Sequence, residues 1–354
     1  MVQPGVSWSS RLKDISINLL LTLVSLALTM LVLEICFRLM GIQGEFHQPQ
    51  KDNLQISSFP KFQRPLPFGF YPYSRMRSTY DSNPRGYFDS TNSIEHRFNA
   101  VGWRDSEHSL DKPSGTFRIL GLGDSFLFGQ GVKQPDVCLK KLETLLAEDL
   151  PEKNIETINA GNSGLNTNDQ LNLLKARGLQ YHPDLVIVHF VLNDVEIDKW
   201  TLPRPGPDFS PPDWLSGKSH LWGWSRQRLG RFIYGRSYVR DYLSAFNKDS
   251  PEWKRCQSSI REIEKLCNQH NVQLLFVLFP FFVELDGSYP FQQAHDTVHH
   301  FCKSMEIDIL DLRNHYSNFS GPELWVHPTD QHPNELAHDI AAQAIAQHLR
   351  KSMR

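Results

Sequence analysis

Charge of one sign is what this sequence has least of. Its 37 Lys and Arg against 39 Asp and Glu leave a formal charge of -2. No basic run with interleaved aromatics occurs either, so the electrostatic footprint of a nucleic-acid binder is missing and nucleic acid is not an expected partner. Cysteine is also scarce. Cys36, Cys138, Cys256, Cys267 and Cys302 contain no C-x-x-C pair, which excludes a recognisable zinc or disulfide framework. Buried free thiols are expected, with one disulfide left open for an oxidising compartment. No internal repeat or long low-complexity tract divides the 354 residues, a length that suits one main domain with an appendage.

The usual glycine signatures are absent as well. The stretch "GLGDSFLFGQG", Gly121 to Gly131, has Phe126 where a dinucleotide fingerprint needs its third small residue. The P-loop pattern G-x-x-x-x-G-K-[ST] occurs nowhere. Phe126 and Leu127 follow Ser125, so the nucleophile elbow G-x-S-x-G fails too, which disfavours an α/β-hydrolase of the usual type.

One long apolar run is present, "ISINLLLTLVSLALTMLVL", Ile15 to Leu33. It is uncharged and about long enough to span a bilayer as a helix. It continues into "EICFRLMG" with no A-x-A cleavage pattern, and Cys36 lacks the small residues that precede a lipid-modified cysteine, so an uncleaved anchor over residues 15–38 is expected. Arg11 and Lys13 before the run favour a cytoplasmic N-terminus, residues 1–14, and an extracytoplasmic remainder. Residues 39–115, polar, Pro- and Gln-rich and dotted with aromatics, read as a stalk and an irregular lead-in, with short strands within Gly86 to Asp105.

From Phe117 onward the pattern becomes apolar runs alternating with helical stretches, the signature of βα units and a parallel sheet. Strands are expected at 117–123, 155–160, 185–191, 272–279 and 307–312, and helices at 136–150, 253–270 and 333–350, the last with Pro333 in its first turn. A Pro- and Trp-rich insertion, about 197–235, breaks the alternation beside Asn193. Its Trp200, Trp214, Trp222 and Trp224 suit a small core, a membrane interface or stacking on sugar rings.

Ligands of open α/β sheets bind outside the carboxyl ends of the strands. The residues there are "GDSF" after the first strand, "NAGNSGLNT" after the second and "FVLNDVE" after the third, with "HPTDQHPNELAH" before the last helix. This set, in this order, resembles the SGNH, or GDSL-type, hydrolase superfamily over about Phe117 to the C-terminus. The resemblance implies a three-layer α/β/α sandwich with a five-stranded, flavodoxin-like parallel sheet over residues 116–354. It also implies Ser125 as nucleophile, His332 as base and an oxyanion hole from Ser125, Gly164 and Asn193. Asp330 completes the triad, as in branches with a D-x-H-x-N ending. Two departures stand out: Val191 replaces the glycine of G-x-N-D, and Asp330 lies two residues before His332 where D-x-x-H is common.

The residue chemistry agrees. A serine hydroxyl needs a base to take its proton, and the base needs a third group to fix its tautomer. Charge developing on a substrate carbonyl needs preorganised donors, which a Gly164 N–H and an Asn193 amide are suited to be. Taken alone, "GDS" reads equally as a helix cap, and Asn193-Asp194 and Gly164 as turn residues. His327, His332 and His338 with Asp330 match no metal motif, and neither a metal nor another cofactor is expected. His299 and His300 read as helix-surface or satisfied core histidines. The expected function is ester hydrolysis through an acyl-enzyme, with an O-acylated envelope or secreted polysaccharide as substrate. An O-acyltransferase to a glycan, a lipid esterase or lysophospholipase, and a non-catalytic glycan-binding or assembly protein of the same fold remain as alternatives.

Overall fold

Five short runs become five parallel strands, the three central ones largely covered on both faces. In the computed structural model, residues 8–40, 51–55, 68–197, 219–285, 287 and 289–353 are described. Helix α1 (Trp8–Leu39) is followed by strands β1 (Lys51–Gln55), β2 (Arg75–Thr79) and β3 (Ser93–Arg97). Then come β4 (Thr116–Gly123), the single turn α2 (Ser125–Phe128), α3 (Cys138–Asp149), β5 (Asn154–Asn159), α4 (Thr167–Ala176) and β6 (Leu185–Phe190). Helices α5 (His220–Ala245) and α6 (Pro251–Gln269) precede β7 (Gln273–Leu278), α7 (Gln292–Ser304) and β8 (Asp308–Asp311). The short helix α8 (Gly321–Leu324), the hairpin strands β9 (Trp325–His327) and β10 (Asp330–Pro333), and α9 (Glu335–Met353) complete the order.

The chain forms two compact units, one joining residues 1–46 to 205–236, the other joining 47–204 to 237–354. In the first unit, Ile15–Leu39 is long and apolar enough to cross a membrane, and its large side chains are exposed, Leu19 and Leu20 at 62%. Glu34 near its end accepts hydrogen bonds from Ser219 Oγ (2.9 Å) and from the His220 and Leu221 N–H groups (3.0 and 2.9 Å). That carboxylate satisfies donors at the start of α5 that no helical carbonyl can reach. Trp224, half-buried, packs edge-on to Phe37 at 5.3 Å; Trp200 and Trp214 lie outside the described residues.

In the second unit the parallel sheet has the order β5-β4-β6-β7-β8. That is the doubly wound 2-1-3-4-5 arrangement, whose switch point lies between β4 and β6. Helices α3 and α9 pack together, as do α4 and α6, giving helix, sheet and helix layers. All six residues of β6 are buried, as expected of a parallel strand with both faces covered. The five strands fall where the apolar runs predict them. The last helix does not begin on proline. Pro333 belongs to β10, and α9 is started by Asn334, whose Oδ1 accepts from the Ala337 N–H at 3.0 Å. Cys138, Cys256, Cys267 and Cys302 are buried free thiols, and burial pushes Cys267 and Cys302 up to about 12.

The lead-in is part of this unit. β1-β2-β3 form an antiparallel sheet whose neighbours Tyr80, Phe88 and Ile94 share a core with Val132 and Val326, while Met76 and Phe98 pack on Phe128. Its far end is tied to the sheet edge by charge. His108, 5% exposed, bridges Asp105 (3.1 Å) and Glu156 (2.7 Å), and Arg118 pairs with Glu156 at 2.7 Å. Burial pulls the His108 imidazole down, but the Asp105 and Glu156 carboxylates outweigh it and hold it above its ordinary 6.5. A raised histidine contributes stability fully below the unfolded-state value and loses it as pH rises through the folded-state value. His108→Gln is therefore expected to lower Tm by several degrees at about pH 6 and by clearly less at about pH 9. Equal losses at both pH values, read by thermal melts, would show that the imidazole acts there without its charge.

Candidate active site

The chain turns sharply after β4, and the turn is held by its own acid. The Asp124 carboxylate accepts from the Phe126 N–H at 2.9 Å, capping α2. The capping reading of "GDS" thus describes Asp124, and leaves Ser125 as the first residue of α2 with a half-buried side chain. Ser125 Oγ lies 2.8 Å from His332 Nε2, and His332 Nδ1 is hydrogen-bonded to Asp330 Oδ1. The carboxylate fixes the tautomer: Nδ1 must carry the proton, so in the neutral ring Nε2 accepts and the serine donates. The alternative acceptor for the hydroxyl, Asp124 Oδ2, is farther at 3.4 Å.

The spacing that departs from D-x-x-H has a simple geometry. Asp330 and His332 both lie on β10, and residues two apart on a strand face the same side. D-x-H on a strand thus brings the carboxylate to the imidazole Nδ1. The asparagine that ends the block is structural: Asn334, fully buried, donates to the Glu323 and Trp325 carbonyls at 2.7 and 3.2 Å and caps α9.

The pair is electrostatically coupled. Burial would push the His332 imidazole down, but the Asp330 carboxylate holds it above its ordinary value. Burial would push Asp330 up, but His332 and the Tyr80 hydroxyl hold it below. Phe126 leans edge-on over the imidazole at 5.8 Å and continues into Phe279 and Phe282, an apolar wall beside the serine.

Asn193 and Gly164 come from the loops after β6 and β5. Asn193 Nδ2 donates to Asp124 Oδ2 at 3.0 Å, and since a carboxylate only accepts, the amide nitrogen must face it. A second N–H on that nitrogen remains. Gly164 has φ 74°, in the left-handed region, where glycine carries no steric cost. Among the described residues nothing accepts from its N–H. Ser125 and Asn193 follow β4 and β6, so they flank the switch-point crevice. Val191 is fully buried at the end of β6, and its side chain leaves the Asn193–Asp124 bond intact.

The other histidines do not converge. His327 is engaged by Ser82 and Thr329 at 2.9 and 2.8 Å, and His338 Nδ1 accepts from the Cys138 N–H at 3.1 Å. Among the described residues no group of three or more potential metal ligands forms. Two residues near the site had no sequence signal. Tyr80 Oη donates to Asp330 Oδ2 at 2.7 Å, and the buried Arg104 guanidinium donates to the carbonyls of Phe128 (2.7 Å), Gly129 (2.5 Å) and Val132, pinning the turn that follows Ser125.

Residues 122–340, more than half of the chain, match the GDSL-like lipase/acylhydrolase family, a class of ester-bond hydrolases. The chain belongs to that family. Among solved structures it is similar to a two-domain esterase active on acetylated mannans (15% identity, TM-score 0.42, covering 67% of this chain and 50% of that one). It is also similar to the psychrotrophic esterase EstA from Pseudoalteromonas sp. (16%, TM-score 0.42, 67% and 98%) and to a lipase/acylhydrolase from Enterococcus faecalis (14%, TM-score 0.39, 67% and 97%). The chain thus spans about half the length of the mannan esterase it resembles. No curated protein matches it.

Proposed function

We propose that the protein is a serine esterase that deacylates an O-acylated envelope or secreted polysaccharide from a single-pass membrane anchor. The observation that carries the chemistry is the continuous hydrogen-bond chain from Ser125 Oγ through His332 to Asp330. Ser125 Oγ attacks the ester carbonyl as its proton passes to His332 Nε2. The carbonyl oxygen takes the negative charge and meets the N–H groups of Ser125 and Gly164 and the Asn193 amide. Collapse breaks the ester C–O bond, and the Nε2 proton leaves on the alcohol. Water then attacks the acyl-enzyme, gives its proton to Nε2, and releases the acid as Ser125 recovers its hydrogen. No step calls for a metal or other cofactor.

The substrate class rests on location: α1 reads as an anchor with its N-terminus in the cytoplasm, which sets the catalytic unit among envelope and secreted glycans. The test uses the full chain in detergent. A fluorophosphonate probe is expected to label the wild type, and Ser125→Ala to lose the label altogether. An unlabelled wild type, or equal labelling of the variant, sinks the nucleophile assignment. Turnover of acetylated glycan over a long-chain ester is the expected preference, and the reverse preference would favour the lipid esterase.

A further inference from the structure

The reading of Ser125, His332 and Asp330 as a triad leaves one oxygen of the triad acid unassigned, and the lead-in supplies its partner. We propose that Tyr80 is a positioning residue of the catalytic machinery: its hydroxyl, 2.7 Å from Asp330 Oδ2, holds the carboxylate so that Oδ1 faces His332 Nδ1. The proposal rests on the triad reading and extends it to a residue 250 positions away in sequence.

Four observations build the arrangement. Tyr80 is 4% exposed and lies one residue beyond β2. Its ring is stacked on Phe88 at 4.5 Å and 3°, and Phe88, Val132 and Val326 enclose it, so the phenol has one orientation. The Asp330 carboxylate can only accept, so the phenol must give its proton to Oδ2. Gly131, with φ +71°, lets the hydroxyl approach: a Cβ there would sit 2.6 Å from Tyr80 Oη. Buried polar atoms are costly unless paired, and a carboxylate with both oxygens engaged cannot rotate away from the imidazole. A bond from a neutral donor to a buried carboxylate is among the stronger kinds.

The consequences differ from those of packing alone. Tyr80→Phe keeps the stack and removes only the hydroxyl. Asp330 then becomes more basic and stabilises the imidazolium more strongly through Nδ1–H, so His332 gives up its Nε2 proton at higher pH. The other charged groups that bear on the pair, Asp124 after β4 and Asp52 in β1, are unchanged by the substitution. The expected result, on the full chain in detergent, is a kcat about tenfold lower with KM unchanged. The acidic limb of kcat/KM moves to higher pH, and the downfield proton resonance of His332 Nδ1–H shifts. Phe88→Leu, which loosens the same stack but spares the hydroxyl, should lower Tm with limb and resonance unmoved.

A wild-type limb and resonance in Tyr80→Phe overturn the proposal, whether or not kcat falls, because that is the signature of packing. Should Tyr80→Phe not fold, 3-fluorotyrosine at Tyr80 makes the phenol a stronger donor at constant shape. It is expected to move limb and resonance the opposite way, and no movement again overturns the idea. The resonance needs no substrate. A wild type that turns over no ester therefore sinks the triad reading, while the response of the imidazole proton still decides what Tyr80 does to Asp330.

Discussion

His332→Ala is expected to lower kcat for an acetyl ester about 10⁵-fold, with Tm little changed and KM within a few-fold of wild type. In the proposed mechanism the serine proton leaves through the imidazole, and among the described residues no other acceptor is as close: Asp124 is 3.4 Å from Ser125 Oγ and already accepts from Asn193 and the Phe126 N–H. The His332 side chain is 30% exposed, so removing it leaves a gap at the surface and costs the fold little. The double variant Ser125→Ala/His332→Ala should lose no more than about tenfold beyond either single one, because groups that act as one unit fail as one unit. Losses that multiply across the two substitutions, measured by steady-state kinetics, would mean that serine and histidine do not share a step.

Most of the sheet was legible because parallel strands covered on both faces leave continuous apolar runs. "LVIVHFV" is buried from Leu185 to Phe190, and "FRILGLG" contains β4. The residues that the structure gathers around Ser125 could be picked out for a related reason: a doubly wound sheet brings its strand exits together, and those exits can be counted along the sequence. Three things were not legible. Pro333 is an ordinary helix-start signal, yet it lies on β10, where pairing with Trp325 across the hairpin outweighs local preference. The D-x-H spacing looked irregular until β10 was known to be a strand, since the same two residues would point apart on a helix. The lead-in carried no motif because its contributions are single side chains, Tyr80 on Asp330 and Arg104 on the turn after Ser125. Such contacts span long sequence separations, and a pattern read within a short window cannot register them.

Asp330→Asn is expected to lower kcat about 10⁴-fold while keeping the fold. An amide can present its nitrogen to His332 Nδ1, which turns that atom into an acceptor and moves the ring proton to Nε2. Ser125 then faces a donor and has no base. The pH dependence gives the direction of the residual activity. The proposed mechanism needs neutral His332, whose value the Asp330 charge raises against burial; with the charge gone, burial prevails and the imidazole stays neutral to lower pH. The acidic limb of kcat/KM therefore moves down in Asp330→Asn and up in Tyr80→Phe, two opposite shifts from two changes to one carboxylate. Adding Tyr80→Phe to Asp330→Asn should produce almost no further shift, because the phenol acts only through the charge that is already gone. A double variant whose limb still moves upward by the full single-variant amount would place Tyr80 in contact with the imidazole by some other route.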